Sequence, residues 1–171
     1  MYNRTERTLV VLKPDTVQRN LVGEIISRFE KVGLKIIAMK FLLPTMEQAR
    51  KHYVKNDAEI VALGQRSLDA KRKKGIEVSF DPKEFGEIIV DRLIKTLSHS
   101  PVVALVLEGS NAIPIVRKLV GATEPLTSDV GTIRGDYTID SYELADEGER
   151  AVRNLVHASA NEFDANYEIP V

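Results

Sequence analysis

The chain has 171 residues, 43% hydrophobic and 29% charged, with a formal net charge of −1 and no cysteine. Such a length supports one folded domain that buries roughly 70% of its unfolded surface. Disulfides and thiolate metal sites are excluded, no apolar run approaches the roughly 20 residues of a membrane span, and any phosphate site has to be built locally because no global field attracts anions.

The opening MYNRTERTLVVLKPD is charged and holds no signal-type apolar core, which points to a cytoplasmic protein. Residues 8–13 (TLVVLK) form a short apolar run stopped by Pro14 and read as a buried strand. Residues 23–32 follow helical spacing, with Ile25, Ile26, Phe29 and Val32 on one face and Gly33 as the residue past the end. Residues 35–42 (KIIAMKFL) read as the next strand, and Thr45-x-x-Gln48 is a capping-box pattern that opens a helix toward Tyr53. Residues 55–85 are polar and weakly periodic, and their run Lys71-Arg72-Lys73-Lys74 reads as a solvated surface patch.

Residues 102–107 (VVALVL) predict a third buried strand, followed by a helix capped by Asn111 and ended by Gly121. Residues 141–150 (SYELADEGER) read as a short exposed helix or loop. Residues 155–157 predict a last short strand, and Ser159-x-x-Glu162 a second capping box for a C-terminal helix. This mixed order suits an α+β sheet with helices packed on one face. Residues 1–171 read as a single domain, with insertions at about 55–85 and 141–150 on its rim.

The chemistry concentrates in NLVHAS, residues 154–159. A neutral, nucleophilic imidazole is well populated at physiological pH, and one held at a strand end can carry a transferred group covalently. Of the three histidines, His52 and His99 lack comparable sequence surroundings. Neither a P-loop pattern nor a dinucleotide glycine fingerprint occurs, so phosphates would have to be held by side chains. Lys13 at the end of the first strand, Arg117 in the helix after the third, Thr123 beyond that helix and Arg134 in GTIRGD supply suitable donors.

VVLKPD, SPVVALVLEG, GTIRGD and RNLVHAS stand in the order seen in nucleoside diphosphate kinases, a family the chain resembles over nearly its whole length. The resemblance implies a ferredoxin-like sandwich with a four-stranded antiparallel sheet. It also implies ping-pong exchange of the γ-phosphate between nucleoside triphosphates and diphosphates, with Mg²⁺ carried mainly by the nucleotide phosphates. By the same resemblance His157 is the nucleophile, Lys13, Arg117, Thr123 and Arg134 hold phosphates, and Lys13 and Asn154 reach the ribose. Tyr53 sits beside the histidine, and Ser159 and Glu168 orient its ring. A hexameric or tetrameric assembly is implied too, with residues 125–131 contributing to its contacts.

Three departures from the family pattern carry expectations. The usual H-G-S-D is His157-Ala158-Ser159-Ala160 here. Losing the glycine crowds the imidazole if that position needs positive φ or close approach of a phosphate, and losing the aspartate removes a carboxylate near the metal–phosphate site. Counting back from Pro101 puts Ile89 at the base-stacking position, with Phe85 the nearest aromatic in a shifted register. These changes leave a catalytically weak nucleotide-binding relative as the alternative to an active kinase. A sheet that binds single-stranded nucleic acid is disfavoured, since the strand segments offer only Phe41 for stacking on bases.

Overall fold

The structure, a computed structural model, describes residues 5–171; the charged opening, residues 1–4, lies outside it. Four strands form the sheet: β1 (Thr5–Leu12), β2 (Lys35–Leu42), β3 (Val102–Ser110) and β4 (Val156–Ala158). Their order is β2-β3-β1-β4, and every neighbouring pair is antiparallel. The two central strands are the continuous apolar runs, as strands buried on both faces must be. In β1, Val10 and Leu12 point to one face and Leu9 and Val11 to the other, and all four are buried.

One face is covered by α2 (Val22–Lys31) and α6 (Ala112–Val120), whose Ile25, Phe29, Ala112 and Val116 pack on Val10, Leu12, Val103 and Leu105. Gly33 and Gly121 have φ of 87° just past these helices, a backbone angle that glycine adopts at least cost. Val32 departs from the expected apolar face: it is the C-cap residue of α2 and is half exposed. Asn111 occupies the N-cap position of α6, yet its side chain makes no capping bond because its own backbone is left-handed.

The opposite face is covered as well, a layer that the expectation of helices on one face did not include. There α3 (Met46–Tyr53), α4 (Asp57–Lys73) and α5 (Pro82–Ser98) set Ala49, Ile60, Val90 and Ile94 against Leu9, Val11 and Val102. The predicted capping box at Thr45 and Gln48 is complete in both directions. Residues 55–85, read as weakly periodic rim, thus contain a 17-residue helix capped by Asn56. Its apolar stripe is thin for a geometric reason. Gly64 and Gly86 face the crossing with α5, where a Cβ on Gly64 would lie 1.8 Å from the Pro82 carbonyl oxygen and one on Gly86 2.1 Å from that of Ile60. Backbone contact takes the place of side-chain packing.

Three short helices complete this part of the chain: α1 (Pro14–Gln18) at the end of β1, and α7 (Ile133–Tyr137) and α8 (Tyr142–Glu147) before β4. The basic run is not free surface throughout. Lys71 pairs with Asp146 and Lys74 with Glu143 of α8, and Arg92 of α5 reaches Asp146 at 3.0 Å. The last helix, α9 (Glu162–Glu168), is capped by Asn161 through Asp164 N at 2.9 Å. Ser159 is therefore not its cap, which corrects the second capping-box reading.

Replacing Gly64 by alanine is expected to destabilise the protein by about 2–3 kcal/mol, because the obstacle is backbone and cannot rotate away. That corresponds to a loss of roughly 5–10 °C in Tm for a domain of this size. Gly23→Ala in α2, where a Cβ meets nothing within 4 Å, is the control and is expected to be neutral or stabilising by up to about 1 kcal/mol. Thermal melting of the two variants checks both.

Candidate active site

The site is assembled where β4 meets β1. His157 pairs with Val11 in the register of the two strands. Two residues earlier, Leu155 has φ of 66°, a left-handed conformation costly for a branched side chain. It is held there from three sides. Its carbonyl accepts from Lys13 N at 2.8 Å and Thr16 Oγ1 at 2.6 Å, and its N–H donates to Asp15 Oδ2 at 3.0 Å. The kink turns Asn154 toward Lys13 and starts β4, so the K-P-D segment and the N-L-V-H segment position each other.

The imidazole is oriented by a buried carboxylate. His157 Nε2 lies 2.9 Å from Glu168 Oε2, and Ser159 Oγ donates to the same oxygen at 2.7 Å. Ser159 is anchored in turn, with Oγ accepting from Leu9 N at 3.2 Å. Burial pushes the Glu168 carboxyl above its ordinary range, and the Ser159 bond opposes this. An ionised carboxylate only accepts, so the imidazole carries its proton on Nε2 and leaves Nδ1 with a free lone pair. Desolvation pushes His157 down to about 3, with the positive charges of Lys13, Arg134 and Arg117 adding to the effect. The ring is neutral throughout the physiological range.

Cations converge on this ring. Lys13 is buried, donates from Nζ to Asn154 Oδ1 at 2.7 Å, and is brought down to about 8 by burial and by Arg134. Asn154 Nδ2 donates to the Thr123 carbonyl at 2.8 Å, tying that loop to the lysine. Arg134 on α7 is buried and lowered to about 10 by desolvation, then by Arg117. Its Nε donates to Asn154 O, Nη1 to Gly121 O and Ala122 O, and Nη2 to Val156 O, at 2.5–3.1 Å. Four of its five N–H groups thus hold the loop and the entrance to β4, and one remains for a ligand. Arg117 and Thr123 stand exposed at the mouth.

Tyr53, at the end of α3, is half-buried with its ring centroid 6.3 Å from that of His157, and burial keeps its phenol protonated. Ile89 is half-buried on α5 and takes no part in the bonds that tie the cluster together. Phe85 is buried and stacked on Phe80, with centroids 5.4 Å apart, so it packs inward. Ala158 is extended strand with its methyl in the α2/α6 core, and neither it nor Ala160 has positive φ. Backbone strain from a positive φ at the missing glycine therefore does not arise. His52 was passed over in the sequence, yet its buried ring lies 4.3 Å from that of His157 at 78°. Its adjacency to Tyr53 at the end of α3 was the available signal. Asp15 and Thr16, which hold Leu155, were missed because they act on backbone.

The nucleoside diphosphate kinase family model matches residues 6–62 and 72–171, leaving only residues 63–71 of α4 between the two stretches. The chain belongs to the nucleoside diphosphate kinase family, and is thereby an enzyme. A nucleoside diphosphate kinase of Pyrobaculum aerophilum is 48% identical over 96% of this chain and 92% of its own length. One of Borreliella burgdorferi is 40% identical over 97% of this chain and 86% of its own. Among solved structures, an NDP kinase from Pyrobaculum aerophilum superposes with a TM-score of 0.91 at 46% identity, covering 97% of this chain and 94% of that one. A transition-state mimic of the Borrelia burgdorferi enzyme, with bound vanadate and ADP, gives 0.78 at 40% identity, covering 98% and 86%.

The two imidazoles set a pH dependence. His157 and His52 both stand near 3 in the folded chain, against about 6.5 when unfolded. Between those values the unfolded chain binds more protons, so the contribution of the two rings to stability falls as the medium is acidified and is flat above about pH 6.5. Urea unfolding at pH 6.5 and 4.5 is expected to differ by about 2–3 kcal/mol per histidine. The variant His52→Gln is expected to lose one of these two contributions.

Proposed function

We propose that this enzyme exchanges the γ-phosphate between nucleoside triphosphates and diphosphates through a phosphohistidine on Nδ1 of His157. The observation that carries the reading is the hydrogen bond of His157 Nε2 to Glu168, since it leaves the Nδ1 lone pair free. Nδ1 attacks the γ-phosphorus, the bond to the bridging oxygen breaks, and the nucleoside diphosphate departs. A terminal oxygen of a second nucleoside diphosphate then attacks the same phosphorus, breaks the N–P bond and restores the neutral imidazole. Phosphoryl transfer of this kind needs in-line positioning and positive charge more than covalent assistance.

The two free N–H groups of Lys13, the remaining one of Arg134, and Arg117 and Thr123 hold the phosphates. Lys13 and Asn154 reach the ribose, Tyr53 donates toward the transferred group, and Ile89 offers an aliphatic surface to the base. Ser159 keeps Glu168 aligned on the ring. Mg²⁺ asks for near-octahedral oxygen ligation, whereas the ligating trio at the site, His52, His157 and Glu168, is nitrogen-rich. Mg²⁺ therefore belongs on the oxygens of the nucleotide, where it neutralises phosphate charge.

A homo-oligomer, hexamer or tetramer, fits two apolar surfaces. The edge strand β2 exposes Met39 and Phe41 on one face, followed by Leu43, and residues 125–131 expose Leu126 and Val130. Unpaired apolar edges of this kind invite pairing with another chain. Light scattering is expected to return four or six times the chain mass; a monomer at all concentrations would overturn the assembly. Among the described residues no helix is long and apolar enough to cross a membrane, in keeping with a cytoplasmic enzyme.

The test of the chemistry is labelling with γ-labelled ATP and Mg²⁺, followed by desalting and a GDP chase. Wild type is expected to hold acid-labile label and discharge it as GTP, and His157→Ala to hold none. Glu168→Gln is expected to phosphorylate up to about 100-fold more slowly, through a misaligned ring. An unlabelled wild type would overturn the proposal.

A further inference from the structure

His52 is not accounted for by phosphoryl transfer. The residue is 7% exposed, and among the described residues its Nε2 has no hydrogen-bond partner. A buried polar nitrogen left unpaired is costly and calls for an explanation. Among the described residues, His52, His157 and Glu168 form the one trio whose ligating atoms all lie within 4.8 Å of one another. We propose that His52, His157 and Glu168 form a transition-metal site in the nucleotide-free enzyme, which takes Zn²⁺ and thereby blocks phosphorylation of His157. This rests on the assignment of His157 as the nucleophile.

The donor chemistry selects the ion. Two imidazoles and one carboxylate suit Zn²⁺ and leave a fourth position for water, whereas Mg²⁺ prefers oxygen and retains its own waters. Zinc–nitrogen and zinc–oxygen bonds of about 2.0–2.2 Å place tetrahedral donors roughly 3.3 Å apart. The His157 Nε2 and Glu168 Oε2 pair, at 2.9 Å, already stands near that spacing. His52, whose donor lies within 4.8 Å of the other two, reaches the third corner by closing up to about 1.5 Å.

Zinc at His157 Nδ1 occupies the attacking lone pair. At Nε2 it moves the ring proton to Nδ1, which ties up the attacking lone pair, and takes the Glu168 oxygen that had fixed the tautomer. Either binding mode removes the nucleophile. Lys13 and Arg134 oppose a dication here, with Glu168 and, further off, Asp164 as the negative charges facing the pair. A nucleotide, whose phosphates bind those same cations, therefore competes with the metal.

The experiment is calorimetric titration of chelator-treated full-length protein, without nucleotide, by ZnCl₂ and separately by MgCl₂. One Zn²⁺ per chain is expected and no Mg²⁺, with His52→Gln weakening zinc binding at least about tenfold and the exposed control His99→Gln leaving it unchanged. Histidine NMR signals of the wild type provide a readout independent of variant folding: zinc is expected to shift the His52 and His157 rings together and spare His99. Labelling with ATP is run on each protein against itself, with and without zinc, and zinc is expected to suppress it in wild type reversibly by chelator. No zinc binding up to about 0.1 mM ion, or equal binding by wild type and His52→Gln, would sink the metal site even if labelling proceeds. Zinc binding in a wild type that never labels would uphold the metal site and overturn the nucleophile assignment instead.

Discussion

The carboxylate of Glu168 does the organising at the centre of this protein. One oxygen receives both the His157 ring and the Ser159 hydroxyl, and Ser159 is tied to the backbone of Leu9 in β1. A chain of bonds thus runs from the central strand through the last helix to the imidazole. In a low-dielectric interior such bonds are strong, and equally costly to leave incomplete. The short β4 and the last turn of α9 are therefore held together by the same oxygen that sets the tautomer.

Reaching that arrangement requires a strained residue. Leu155 takes a left-handed conformation because Lys13, Asp15 and Thr16 satisfy its backbone on both sides. The segment that carries Lys13 is thus the segment that clamps the approach to the histidine. Arg134 repeats the economy, with four N–H groups on backbone carbonyls at both ends of the cluster. In a chain of net charge −1, three cations meet at one imidazole because tertiary structure, and not composition, gathers them. Their field and the low dielectric keep the ring neutral, as the proposed phosphoryl transfer requires, and this makes the fold sensitive to acid.

The second helical layer has a role beyond covering the sheet. The glycine crossing of α4 and α5 lets their backbones touch, and with α3 they close the face of the sheet formed by Leu9 and Val11. At the end of α3 this layer sets His52 and Tyr53 against the His157 ring. Its far end is latched by Lys71, Lys74 and Arg92 to the carboxylates of α8, so two segments that look like separate decorations in the sequence are joined in space.

The strands, the helices α2, α3 and α6, and the motifs with His157, Lys13 and Arg134 were all legible in the sequence, because apolar periodicity, caps and short motifs are local signals. The helix α4 was not, since glycine contact replaces the apolar stripe that announces a helix. Ser159 was misread as a cap because a serine followed three residues later by glutamate satisfies a local rule, while its actual partners are the distant Leu9 and Glu168. His52 was passed over because its neighbours in sequence say nothing of the ring it meets across the fold. The sequence by itself determined the family, the sheet and the residue types the chemistry requires. Only the tertiary structure decided which nitrogen of His157 is free, how far Arg134 is already committed to backbone, and that a second imidazole lies against the first. Those depend on distance and burial between residues up to 150 positions apart in the chain, which no local pattern encodes.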